Sequence, residues 1–116
     1  MIKAVFCDVD NTLTSPLTRT IPTSALEAIQ RARRNGVKVF VATGRHTRTY
    51  EEGNILQGIE LDGYVAVNGQ LCYLPDETIV HKAVLDPQDV AVILRLAQKL
   101  NFACCLVEVD KLYLTA

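Results

Sequence analysis

Tryptophan is absent from this 116-residue chain, and aromatic residues make up only 6% of it. Stacking platforms for nucleic-acid bases are therefore poorly supplied. No basic block exists either: 12 Lys and Arg stand against 13 Asp and Glu, a formal net charge of -1. Nucleic-acid binding through charge is excluded on that balance. No apolar run approaches the roughly 18 residues of a membrane span, so no membrane partner is expected. Met1-Ile2-Lys3 leads straight into a run that ends in acids, which is not the pattern of a secretory signal, and a cytoplasmic protein is expected. Cys7, Cys72, Cys104 and Cys105 show no CxxC spacing and no clustered His, so zinc is not expected. In a reducing compartment they are expected as thiols, mostly small buried hydrophobes.

What is present is an ordinary globular composition, 49% hydrophobic and 22% charged, of about one small domain's length. Ile2 to Val9 is apolar throughout except for Lys3 and Asp8, the pattern of a buried parallel strand. Asn11 to Arg19 is rich in Thr, Ser and Pro and reads as a loop. Pro22 to Asn35 has helical periodicity, with Leu26 and Ile29 on successive turns. Pro22 suits the first helical position, whereas Ser24 with Glu27 offers a capping box two residues later. Arg31, Arg33 and Arg34 crowd the last turn, where a solvated cationic end suits the helix dipole, and Gly36 supplies the stop. Val37 to Ala42 reads as a second buried strand, His46 to Leu56 as a weakly periodic helix interrupted by Gly53, and Tyr64 to Val67 as a third strand. Strands alternating with helices predict right-handed crossovers and a parallel sheet.

The pattern then changes. Gln70 to Tyr73 and Thr78 to His81 flank Leu74-Pro75-Asp76-Glu77 as a hairpin. Asp86 caps a helix with Pro87 in its first turn and an apolar stripe of Val90, Ile93, Leu94, Ala97 and Leu100. Phe102 to Val109 and Leu112 to Leu114 read as strands about a turn at Asp110-Lys111.

The stretch around which the rest is organised is Phe6-Cys7-Asp8-Val9-Asp10-Asn11-Thr12. Alternation along a strand would put Asp8 and Asp10 on one side of its end. Two like charges there call for a cation or a shared proton. In an open parallel sheet, ligands bind beyond the carboxyl ends of the strands. Three strands here end in polar residues: Asp8 and Asp10, Thr43 and Gly44, and Asn68.

Asp8-Val9-Asp10-Asn11-Thr12 resembles the first motif, D-x-D-x-T, of the haloacid dehalogenase (HAD) superfamily, and Thr43-Gly44-Arg45 resembles its second. Asn68-Gly69 followed by a hairpin and a new α/β segment is similar to the Cof-like branch. The resemblance covers essentially the whole chain. It implies an α/β fold, a three-layer Rossmann-like parallel sheet forming a partial HAD core over residues 1–85, with the start of a truncated α/β cap over 86–116. It also implies a Mg²⁺-dependent phosphatase working through an aspartyl-phosphate on a small phosphorylated metabolite. Asp8 would be the nucleophile and Asp10 the general acid and base. Mg²⁺ would rest on Asp8 and the main-chain carbonyl of Asp10. Thr43, Gly44, Arg45 and Asn68 would hold the substrate phosphate.

Plainer readings stand beside these. Thr43 also reads as a helix cap, Asn68-Gly69 as a hairpin turn, and Arg45 as a surface partner of Glu51 or Glu52. His46 and His81 read as surface or capping residues. The downstream Lys and the acidic fourth motif of the superfamily cannot be placed, so the chain is expected to stop partway through a cap and to be weakly active or inactive. The first strand would then be a hydrophobic edge, and a homo-oligomer through an exposed sheet or cap edge is expected. The alternative is a non-catalytic remnant that self-associates or binds a phosphorylated partner. A receiver-like domain suits Thr43-Gly44-Arg45 less well.

Overall fold

The computed structural model describes residues 1–46, 55–56 and 59–115, which form two compact units, Met1–Lys82 and Ala83–Ala116. The helix expected over His46 to Leu56 lies mostly outside the described residues.

The first unit runs β1 (Ala4–Cys7), α1 (Thr23–Arg34), β2 (Lys38–Ala42), β3 (Gly63–Ala66), a 3-10 turn (Val67–Gly69), β4 (Leu71–Tyr73) and β5 (Ile79–Lys82). These strands form one sheet in the order β1-β2-β3-β4-β5. The first three are parallel, with Phe6 opposite Phe40 and Phe40 opposite Gly63. The last two pairings are antiparallel. The expected Rossmann-like, parallel-dominated sheet is therefore present, with the hairpin added at one side.

Two sequence readings need correction. β1 is shorter than Ile2 to Val9, and it is the expected hydrophobic edge rather than the buried strand its apolar run suggests. It lies at the sheet edge with β2 as its strand partner, so Ala4, Val5 and Phe6 are exposed, Phe6 to 59%. An all-apolar run identifies a strand but not how many neighbours flank it. Pro22 is the N-cap of α1 rather than its first residue. Its carbonyl accepts from the Ala25 and Leu26 N–H groups, and no side chain caps this end, so Ser24 and Glu27 form no capping box. At the other end Gly36, at φ 78°, takes the left-handed conformation that stops the helix, as its position predicts.

One face of α1 closes the core. Val9, Leu13, Ile29, Val39, Val41 and Leu61 are buried together, with Cys7, Ile21, Ile55, Leu56, Ile59 and Tyr64 packed against them. Val39 and Val41 alternate with Phe40, so period two alone sends them to the helix-covered face. Arg33 is not a solvated helix end. Its guanidinium donates to Asp62 Oδ2 at 2.6 Å and lies 3.6 Å from Glu60. Lys38 Nζ and the Val39 N–H complete the Asp62 cluster, at 3.0 and 2.9 Å. One carboxylate thus ties α1, β2 and the start of β3 together.

The second unit holds α2 (Pro87–Leu100) and a two-stranded antiparallel ribbon, β6 (Cys105–Val107) and β7 (Leu112–Leu114). Asp86 caps α2 as expected, its carboxylate accepting from the Gln88 N–H at 2.7 Å, with Pro87 in the first turn. Of the expected stripe, Ala97 is buried while Ile93 and Leu100 remain exposed. β6 is shorter than Phe102 to Val109 because only three of its residues find partners on β7. No helix among the described residues is long and apolar enough to cross a membrane.

Candidate functional site at the strand ends

β1 ends at Cys7, and the chain turns at once. The Val9 carbonyl accepts from the N–H groups of Leu13 and Thr14, at 3.1 and 2.9 Å, and from the Thr14 hydroxyl at 2.9 Å. Asp10 makes an isolated bridge with Thr14. Asp10 is therefore placed by this tight turn and not by the alternation of a continuing strand. Buried Val9 and Leu13 fasten the turn to the core, so its acids sit on a fixed base.

Asp8 is exposed, and its Oδ2 accepts from the Thr12 hydroxyl at 2.8 Å. Its Oδ1 has no protein donor among the described residues. A carboxylate held by one oxygen and open at the other is suited to nucleophilic attack or to a cation. Asp10 is held differently. Arg45 Nε donates to its Oδ2 at 2.6 Å and Arg45 Nη2 to its Oδ1 at 2.5 Å. This fork joins the loop after β1 to the loop after β2.

Thr43 follows β2 directly and is buried. Its N–H donates to the Val65 carbonyl at 2.8 Å and its carbonyl accepts from the Asn68 N–H at 3.0 Å. Its hydroxyl oxygen accepts from the Arg45 N–H at 3.1 Å. The Thr43 hydroxyl proton and the Gly44 N–H have no acceptor among the described residues. Asn68 occupies the left-handed region at φ 54°, ψ 34° and is exposed, with no described partner for its amide. It belongs to the turn between β3 and β4, as the hairpin reading holds, and it also borders the loop after β2. The Arg45 carbonyl accepts from the Val67 N–H at 3.1 Å, which fastens the same two loops once more.

The ends of three parallel strands thus converge on one rim. Among the described residues it carries a carboxylate oxygen without a donor and three polar hydrogens or amides without an acceptor. Such donors suit a phosphate. Among the described residues no group of three His, Cys, Asp or Glu could hold a metal. The oxygen donors Asp8 and Asp10 match a hard cation that keeps its waters and shares substrate oxygens, and they supply only part of its shell.

Other titratable groups stand apart from this chemistry. Burial pushes the Cys7 thiol up, the direction opposite to that of an activated cysteine. Of the surface or capping roles read for the two histidines, burial removes the surface one for His46, and His81 is exposed. The Asp10–Arg45 pair was not legible in the chain. The only signal for it was one acid and one base at the ends of neighbouring parallel strands. The suggested partners Glu51 and Glu52 lie outside the described residues.

The model of one family, haloacid dehalogenase-like hydrolases, matches residues 5–116. The chain belongs to that family. Solved structures agree. A phosphatase of the haloalkanoate (HAD) enzyme superfamily from Bacteroides thetaiotaomicron is similar at 30% identity and a TM-score of 0.87, over 98% of this chain and 41% of that one. A member of a phosphoryl-transfer superfamily, from a study of its trigonal-bipyramidal intermediate, is similar at 30% identity and a TM-score of 0.80, over 98% and 44%. A HAD subclass IIB sugar phosphatase is similar at 30% identity and a TM-score of 0.79, over 97% and 43%. The chain spans about four tenths of the length of these HAD relatives.

Proposed function

We propose that the chain carries the nucleophile, the acid/base residue and the phosphate loop of a HAD phosphomonoester hydrolase. The observation that supports this best is the convergence at the strand ends of Asp8, with one oxygen unengaged among the described residues, and the donors of Thr43, Gly44 and Asn68, likewise unengaged among them. Asp8 Oδ1 attacks phosphorus, the bond to the ester oxygen breaks, and the leaving alkoxide takes a proton from Asp10. Water then gives a proton to Asp10 and attacks the same phosphorus, the aspartyl bond breaks, and inorganic phosphate leaves. Thr43 Oγ1, the Gly44 N–H and the Asn68 amide donate to the phosphate oxygens throughout.

Mg²⁺ fits the oxygen donors here, with Asp8 and the Asp10 main-chain carbonyl as its protein ligands. When bound it supplies charge neutralisation between the carboxylate and the phosphate. The substrate class is a small phosphorylated metabolite, and the sugar phosphatase among the relatives makes sugar phosphates the first esters to assay. A cytoplasmic setting accords with four cysteines that are all free thiols.

The test is phosphate release from a general phosphate ester by the 116-residue chain, with and without Mg²⁺, beside Asp8→Asn. Metal-dependent release that vanishes in the variant supports the reading. Release equal to that of the variant overturns it for this chain. A specific observation also favours the non-catalytic, self-associating alternative: β1 is a sheet edge with Val5 and Phe6 exposed. On the phosphatase reading, residues 86–116 are the beginning of a cap.

A further inference from the structure

We propose that Arg45 is a positioning residue for Asp10 and not a ligand of the substrate phosphate. The proposal rests on the phosphoryl-transfer reading above, in which Asp10 moves the protons. Arg45 presents its Nε and Nη2 edge to both oxygens of one carboxylate, at 2.6 and 2.5 Å. Two parallel N–H bonds from a planar guanidinium fix the plane of the carboxylate as well as its place. A single contact would leave Asp10 free to turn about its Cβ–Cγ bond.

That freedom matters at this position. Asp10 lies in a surface turn, and its side chain is 45% exposed. An acid/base group must lie within hydrogen-bond reach of the proton it moves. A misplacement of about 1 Å costs on the order of a hundredfold in rate. The fork removes that freedom because Arg45 is itself pinned. Its N–H donates to Thr43 Oγ1 and its carbonyl accepts from the Val67 N–H, both at 3.1 Å. The guanidinium thus reaches Asp10 from a main chain tied to the loops after β2 and β3.

The phosphate does not require this side chain. Thr43 Oγ1, the Gly44 N–H and the Asn68 amide already offer donors with no acceptor among the described residues. Recruiting this Nε–Nη2 edge to phosphate would break both charge-assisted bonds, whereas protonation of Asp10 for the acid step gives up one of them and keeps the other. The fork therefore assigns Arg45 to the proton-transfer residue.

Three readouts on the full chain test the assignment. The first is a thermal double-mutant cycle with Asp10→Ala, Arg45→Ala and the pair together, in the absence of any ligand. The double variant is expected to shift Tm no more than the larger single change, and additive shifts overturn the pairing. The second is calorimetric titration with inorganic phosphate. Arg45→Ala is expected to change affinity by less than about threefold, while Thr43→Ala weakens it by about tenfold, the loss of one good hydrogen bond. A loss in Arg45→Ala as large as that in Thr43→Ala overturns the proposal.

The third readout is turnover. Arg45→Ala and Arg45→Lys are both expected to lower kcat by at least about tenfold with little change in KM, because Lys keeps the charge and loses the fork. A raised KM at constant kcat, rescued by Lys, overturns the proposal. Absence of turnover in the unmodified chain would overturn its hydrolase reading alone. The cycle and the phosphate titration would still decide the role of Arg45.

Discussion

The side chain of Asn68 occupies the space that a Cβ on Gly44 would need: such an atom would stand 2.9 Å from Asn68 Oδ1. The glycine of Thr43-Gly44-Arg45 is therefore explained by a neighbour from the next strand end. Gly44→Ala is expected to push the exposed Asn68 amide aside, at a stability cost under about 1 kcal/mol because the tip of a short side chain can move. Phosphate affinity should fall about tenfold, since one donor is displaced and the approach to the Gly44 N–H narrows. Calorimetry with inorganic phosphate, beside thermal unfolding, separates the two effects. Unchanged phosphate affinity would remove Gly44 and Asn68 from the cradle.

Asn68 also constrains its own replacement. At φ 54° it sits in the left-handed region, where Asn and Gly are tolerated and a Cβ without a local hydrogen-bonding group is strained. Asn68→Ala is expected to be less stable than Asn68→Gly by about 1 kcal/mol, the reverse of the usual order. Urea unfolding of the two variants reads this directly. Ala equal to or better than Gly would show that the turn relaxes out of that conformation.

Asp62 gives the first unit a defined acid sensitivity. Burial pushes its carboxyl up. The Val39 N–H, Lys38 and the charges of Arg33 and Lys38 outweigh that and hold it below the ordinary range. A group whose folded pKa lies below its unfolded value, about 3.9, stabilises the fold above that value and loses the contribution as pH falls through the folded pKa. Asp62→Asn should destabilise the unit by roughly 1–3 kcal/mol at neutral pH, because Arg33 and Lys38 lose the charge they share. The gap to the unmodified chain should close below about pH 4. A constant gap between pH 7 and pH 3 would contradict the ionic role of the cluster.

In the second unit the cap of α2 is separable from everything else. Asp86 accepts from the Gln88 N–H at 2.7 Å, and Pro87 presets the first turn. Asp86→Ala should lower helix stability by about 1 kcal/mol. Circular dichroism during thermal unfolding checks it. The Asp62 cluster lies in the first unit, so its acid response should be unaffected by the change.

The free edge of β1 yields a prediction about assembly. The Lys3 carbonyl accepts from the Lys38 N–H, so odd-numbered residues face β2 and the main-chain groups of Ala4 and Phe6 face outward. Antiparallel pairing of two such edges sets Ala4 of one copy opposite Phe6 of the other, with the twofold axis at Val5. Sedimentation should find dimers at micromolar concentration, and Phe6→Lys should shift them to monomer. A monodisperse monomer before substitution would sink the self-associating alternative.

The start of α2, the stop after α1 and the hairpin show where sequence reading succeeds. Asp86-Pro87 at the start of α2, Gly36 after α1 and the turn after Tyr73 act within a few residues, so spacing alone locates them. The alternation of Val39, Phe40 and Val41 likewise sorts the faces of β2 without further information. Reading failed wherever the partner lay far along the chain. Arg33 looked like a solvated helix end and met Asp62, far along the chain.

By itself, then, the chain of residues determined the described strands and helices and the parallel pairing of the first three strands, and it pointed to Asp8, Asp10, Thr43, Gly44 and Asn68 as a candidate rim. Local propensity, alternation and motif spacing are enough for that. Only the tertiary structure decided that Arg45 clasps Asp10, that Asn68 fills the gap over Gly44, and that Asp62 gathers Arg33 and Lys38. Each depends on which strand ends and which neighbours the sheet brings side by side. That is a relation between distant segments which neither periodicity nor composition encodes.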